Sequence, residues 1–141
     1  MQELRVKRFN PNAILPVRAH PTDAGLDLFS PIDSEVQVWS FVKIDIGIGI
    51  ALPEGKVGLI FDRSSTGSNG IGHLAGVIDA NYRGSISVIL TNAVGDTDYE
   101  IKAGDKIAQL LIVDAYTPAV VEVDEFETTD RGSNGFGSTG R

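Results

Sequence analysis

Between Val42 and Leu52 every second residue is a branched or long aliphatic: Val42, Ile44, Ile46, Ile48, Ile50 and Leu52. The residues between them are Lys43, Asp45, Gly47, Gly49 and Ala51. Side chains of a strand alternate between its two faces, whereas a helix repeats every 3.6 residues. The run therefore predicts a strand with one apolar face and one small or polar face, and it excludes an amphipathic helix. Other strand-like runs are Leu4–Phe9, Glu35–Trp39, Val57–Phe61, Ser85–Leu90, Tyr99–Lys102, Ile107–Val113 and Val120–Val123. Turn signals lie among them, at Pro53-Glu-Gly55, Ala93-Val-Gly-Asp96 and Ala103-Gly-Asp105. No convincing amphipathic helix and no internal repeat accompany them. Short strands at this spacing predict an all-β sandwich, jelly roll or barrel.

The length of 141 residues suits one domain. With 42% hydrophobic and 22% charged residues, the chain has the composition of a globular protein and not of a disordered one. It has no cysteine, which excludes a disulfide scaffold, a thiolate zinc site and a cysteine nucleophile. Lys and Arg number 12 against 19 Asp and Glu, a net charge of −7. A chain-wide basic footprint for nucleic acid or an anionic membrane is thus absent, and neither is expected as a partner. An anionic ligand must be met by a few local cations, backbone amides or a metal ion. The segment Met1–Phe9 lacks the apolar region of a secretory signal, and Gln109 interrupts the longest apolar run. These features predict a soluble cytoplasmic protein, or one in an equivalent intracellular compartment.

Composition changes near Thr128, and four of the last ten residues are glycine. Residues 128–141 cannot bury a core, so the expected division is a β-domain over 1–127 and a flexible arm over 128–141. The plain reading of this stretch is a frayed terminus. The sharper reading notes Arg131, Phe136 and two hydroxyls among the glycines. Arginine makes bidentate contacts to phosphate, and an aromatic ring offers a face to a base. On that reading they would form a nucleotide clamp, ordered only when occupied.

Three interior segments carry further candidates. Phe61-Asp-Arg-Ser-Ser-Thr-Gly67 follows a strand and sets Arg63 beside the hydroxyls of Ser64 and Ser65, a set suited to phosphate. The alternative is a polar turn with Ser64 capping a short helix. Gly76-Val-Ile-Asp-Ala-Asn-Tyr-Arg-Gly84 places Asp79 at the mouth of a strand, where a carboxylate can activate water as a general base. The alternative is an ordinary turn aspartate. Asp27, flanked by Leu26 and Leu28, and Gln109, inside an apolar run, each need a polar partner, from the protein or from a ligand. His20 and His73 lack the spacing of a zinc site, and there is no P-loop.

The order of these segments is more informative than any one of them. Ala24-Gly-Leu-Asp-Leu28, Arg63-Ser-Ser65, Gly76-Val-Ile-Asp-x-x-Tyr-Arg-Gly84, Gly104-Asp-Lys-Ile-Ala-Gln-Leu110 and Arg131-Gly-x-x-Gly-Phe-Gly-Ser-Thr-Gly140 follow one another along the chain. This series resembles the five ordered motifs of the trimeric dUTPase family, from about residue 5 to the last residue, and the third and fifth motifs are the most specific. The resemblance implies a β-jelly-roll, a jelly-roll-like β-barrel, that forms a homotrimer. Three active sites lie at subunit interfaces, each closed by a neighbour's Gly-rich arm. The implied reaction is hydrolysis of dUTP to dUMP and pyrophosphate, which limits uracil incorporation into DNA and supplies dUMP for thymidylate synthesis. Mg2+ is the implied cofactor, held mainly by triphosphate oxygens and waters, with no direct protein ligand and with Asp27 acting on it only through water.

By the same resemblance, Asp79 is the general base and Tyr82 packs on the deoxyribose. Gly76 belongs to the hairpin that reads uracil. Arg63, Ser64, Ser65 and Gln109 contact phosphate. Arg131 holds the terminal phosphate, Phe136 stacks over uracil, and Gly137, Ser138 and Thr139 complete the arm's contacts. The chain departs from the family pattern in places. Asp62 precedes Arg63, Thr66 stands where a hydrophobic residue is common, and the spacing from Arg63 to Asp79 is short. His73 lies near the base-reading hairpin, and Asn134 replaces a glycine in the arm. A dCTP deaminase shares this fold but needs a glutamate that the third motif here lacks. A catalytically dead nucleotide-binding module would carry a damaged Asp79 or arm, and both are intact.

Overall fold

The computed structural model describes residues 3–135. Strand content is 38% and helix content 4%. The strands are β1 (Arg5–Arg8), β2 (Leu26–Phe29), β3 (Ser34–Val36), β4 (Phe41–Asp45), β5 (Ile48–Ala51) and β6 (Lys56–Phe61), followed by β7 (Ile71–Leu74), β8 (Val77–Ile78), β9 (Ser87–Asn92), β10 (Tyr99–Ile101) and β11 (Lys106–Asp114). One short helix, α1 (Ser64–Ser68), interrupts them. The strands form a four-stranded sheet β2-β11-β6-β8, a three-stranded sheet β4-β9-β7, and the pairs β1-β5 and β10-β3. All pairings are antiparallel. Their inward residues share one apolar cluster that includes Leu28, Ile44, Ile48, Ile71, Val88, Ile101 and Leu110, an arrangement consistent with a jelly roll.

The alternating run from Val42 to Leu52 is buried on its apolar side as expected, but it is two strands and not one. Gly47 adopts φ +70° and separates β4 from β5. Its amide bonds the Asp45 side chain at 2.8 Å, and its carbonyl accepts from Phe9 at 2.8 Å. A Cβ on Gly47 would lie 2.7 Å from that of Asn10. The bend lets β4 pair with β9 while β5 pairs with β1, so one continuous apolar stripe seals two sheets. The expected strand at Val120–Val123 does not form. Among the described residues regular structure ends at Asp114, and Val120 is fully exposed. Alternating apolar residues cannot make a strand without a neighbour to pair with, and none meets them among the described residues. No described helix is long and apolar enough to cross a membrane.

Candidate nucleotide site

Asp27, Arg63, Lys106 and Gln109 meet on the outer face of the four-stranded sheet. The register pairs Gln109 with Asp27 on one side and with Phe61 on the other. Leu26 and Leu28 point into the core, so alternation turns Asp27 outward. In β11 a β-bulge lies between Lys106 and Ala108, and Ile107 and Ala108 are both buried. The extra residue shifts the alternation by one. Lys106 and Gln109, three apart, therefore share the outer face, which a regular strand would forbid.

The result is a paired set of charges. Arg63 Nε donates to Asp27 Oδ1 at 3.1 Å, and Lys106 Nζ lies 2.7 Å from Asp27 Oδ2. The remaining guanidinium reach goes to Ser65 Oγ at 3.2 Å and to the Lys106 carbonyl at 3.4 Å. Gln109 Nε2 donates to the Asp62 carbonyl at 2.7 Å. Ala19, Ser64 and Ser65 complete the rim of this cleft. Two cations against one carboxylate leave a net positive surface edged with hydroxyls, which suits an anionic group.

The Ser64 segment combines both sequence readings. A short helix does form, but Arg63 is its N-cap and Thr66 supplies the side-chain bonds. Thr66 is buried, accepts from the Arg63 amide at 3.1 Å and donates to the Arg63 carbonyl at 2.9 Å. The hydroxyl at this departure from the family pattern thus clamps the backbone of Arg63. Asp62 does not pair with Arg63; its carboxylate bonds His73 Nδ1 at 2.7 Å.

Asp79 and Tyr82 lie elsewhere, in a groove lined also by Lys43, Val77, Ser85 and Ser87. The Tyr82 amide bonds the Asp79 carbonyl at 3.1 Å, closing a turn, and Tyr82 Oη donates to the Ser85 carbonyl at 2.9 Å. The ring is held against Gly84, where a Cβ would collide with Tyr82 Oη. Asp79 is exposed and makes no ion pair among the described residues. Gly76 enters this hairpin at φ +107°, with its carbonyl accepting from the Ile60 amide at 2.9 Å.

The two groups occupy opposite ends of β6. Ile78 pairs with Gly58, whereas Gln109 pairs with Phe61. Three residues of strand amount to about 10 Å, and Asp79 lies a further residue away from the Phe61 end. Among the described residues none lines both clefts.

Arg131 reaches neither cleft. It sits in an exposed turn, where its Nε donates to the Asn134 carbonyl at 3.1 Å. Phe136, Gly137, Ser138 and Thr139 lie outside the described residues. Lys106 was missed by the sequence reading, although its motif was recognised. Plain alternation puts it opposite Gln109, and only the bulge brings it round. Among the described residues no group of three or more His, Asp or Glu is placed to hold a metal ion.

A family model for dUTPase matches residues 11–140. The deoxyuridine 5'-triphosphate nucleotidohydrolase of Arabidopsis thaliana is 47% identical over 137 residues, covering 96% of this chain and 82% of that protein. A structure of a dUTPase mutant from Staphylococcus bacteriophage 80alpha with dUpNHpp superposes with a TM-score of 0.93 at 32% identity, covering all of both chains. A mutant dUTPase from phage phi11 of S. aureus, in which a structural Mg(II) ion is coordinated, superposes at 0.81 with 32% identity, over 90% of this chain and all of that one. By sequence, by fold and by the order of its motifs, the chain belongs to the dUTPase family.

Proposed function

We propose that the chain hydrolyses dUTP to dUMP and pyrophosphate. The observation that carries this reading is the Asp27–Arg63–Lys106–Gln109 cluster, a ready-made cationic surface in a protein of net charge −7. It receives the phosphates together with Ser64 and Ser65. Asp79 accepts a proton from a water molecule as the water oxygen bonds the α-phosphorus. The bond from that phosphorus to its bridging oxygen breaks, and pyrophosphate leaves. Catalysis of this kind is mostly positioning and charge neutralisation. Tyr82, braced by Ser85 and Gly84, presents its ring to the deoxyribose and crowds a 2′-hydroxyl. The backbone following Gly76 reads the uracil edge.

Mg2+, held by triphosphate oxygens and waters with no direct ligand from this chain, would supply charge neutralisation at the phosphates. Both oxygens of Asp27 already face cations, so its role is to aim Arg63 and Lys106. The active unit is a homotrimer with sites shared between chains. The separation of the Arg63 and Asp79 groups along β6 supports this, because the cluster of one chain is then free to face the groove of another. Residues 1–127 form the jelly-roll unit and residues 128–141 the arm, in which Arg131, Phe136, Gly137, Ser138 and Thr139 close over a neighbour's site. Closure excludes water and aligns the phosphates. The reaction keeps uracil out of DNA and provides dUMP for thymidylate synthesis in the cytoplasm or an equivalent compartment.

The test is pyrophosphate release from dUTP, dTTP, dCTP and UTP, with and without Mg2+. Mg2+-stimulated release from dUTP alone is expected. Release from none of the four, or ammonia release from dCTP, would overturn the assignment.

A further inference from the structure

Asp62 and His73 are two residues at which the chain departs from the family pattern, and the fold brings them together across 11 positions of sequence. His73 Nδ1 donates to Asp62 Oδ1 at 2.7 Å, and both side chains are partly shielded from water. The His73 ring meets the Phe61 ring edge-on, with centroids 5.9 Å apart. The opposite edge of the imidazole faces the next turn: a Cβ on Gly76 would lie 3.4 Å from His73 Cδ2. Asp62 is itself anchored, since its carbonyl accepts the Gln109 amide and its neighbour Arg63 is tied to Asp27.

The turn beside His73 needs such an anchor. Ala75 has φ +60° and Gly76 φ +107°, two successive left-handed residues. A residue with a Cβ adopts that conformation at a cost, and surrounding contacts must hold it there. The same turn leads directly into Val77 and Asp79 of the groove.

We propose that Asp62 and His73 form a positioning pair that fixes the entry of the nucleoside hairpin to the strand end carrying Arg63 and Gln109. The pair touches no reacting atom. It sets the depth and tilt of the hairpin, and so the fit of the pyrimidine. This inference rests on the reading of the groove as the nucleoside subsite. The charge at Asp62, which would repel a triphosphate if it faced the cleft, is turned away from it by the same bond.

The experiment compares wild type, Asp62→Ala, His73→Ala, the double variant and Asp62→Asn. Steady-state hydrolysis of dUTP is measured beside amide exchange at Ala75, Gly76 and Val77 in the full chain. Each alanine variant is expected to raise KM roughly 3–10-fold with kcat within about twofold, and the double variant to be no worse than the poorer single, the mark of coupled residues. Asp62→Asn keeps an acceptor for the imidazole N–H and recovers most of the KM. Exchange at the three amides quickens in both alanine variants. Unchanged KM in both singles, or effects that multiply in the double variant, would overturn the pair. A wild type inert toward dUTP would overturn the functional reading instead, and the exchange rates would still decide whether the pair holds the turn.

Discussion

The cationic cluster and the hairpin groove lie at opposite ends of β6, and they are finished to different degrees. In the cluster each of the four side chains has a partner: Arg63 and Lys106 on Asp27, and the Gln109 amide on the Asp62 carbonyl. A β-bulge and a buried threonine hold the backbone beneath it. In the groove, Tyr82 is braced but Asp79 projects into solvent with no ion pair among the described residues. Binding surfaces gain from being preassembled, because ordering then costs nothing when the ligand arrives. A base gains from having no cation of its own, because a fixed ion pair would lower its readiness to take a proton. The contrast fits the proposed division of labour, in which one end of the strand would hold phosphate and the other would do the chemistry.

The sharpest way to break that division is Asp79→Asn. Turnover of dUTP should fall about 10²–10⁴-fold, the range for losing a general base. Binding of dUpNHpp by calorimetry should stay near wild type, since the shape of the groove survives. Near-wild-type turnover in this variant would remove Asp79 from its role. Deletion of residues 131–141 should come next, at about 10²-fold in kcat/KM, because loss of positioning alone reaches that size. The sedimentation coefficient of the proposed trimer should change little, and dissociation would reveal that the arm holds the assembly.

Arg63→Ala attacks the other end of the strand. A charged hydrogen bond of about 1.5–3 kcal/mol corresponds to roughly 10–100-fold in dUpNHpp affinity. Unlike Asp79→Asn it should weaken binding at least as much as turnover. Equal binding in the two variants would erase the contrast. The smallest effect is expected for Tyr82→Ala, which should raise UTP hydrolysis relative to dUTP by about tenfold, as expected for the loss of a single steric contact. An unchanged ratio would show that the ring does not gate the sugar.

Much of this was legible in the sequence. Alternation located the core face of nearly every long strand, and Ile44, Ile46, Ile48, Ile50 and Leu52 are all buried. What alternation could not show was the break at Gly47, because a bend in the backbone leaves the order of inward residues untouched. The β7 strand escaped because its burial is uneven: Ile71 is in the core, His73 is half-buried between Asp62 and the edge of Phe61, and Leu74 is exposed. At the site, residue types and motif order put forward Arg63, Gln109, Asp27 and Asp79 as candidates, but not which of them meet. That depends on register and on the bulge in β11, which follow from long-range pairing and not from local spacing. Val120–Val123 shows the converse: a strand pattern is necessary for a strand, and a partner strand decides whether one forms.

On the shared-site proposal, the Arg63 cluster and the Asp79 groove of one chain serve different sites of a trimer. Mixing Asp79→Asn and Arg63→Ala chains, dissociated and reassembled together, tests it directly through the rate of pyrophosphate release from dUTP. If each site takes Asp79 from one chain and Arg63 from another, random mixing restores about a quarter of the sites to full composition. Turnover should then rise well above that of either variant alone. A mixture no more active than the average of its two components would place both groups in one chain's own site and rule out shared sites.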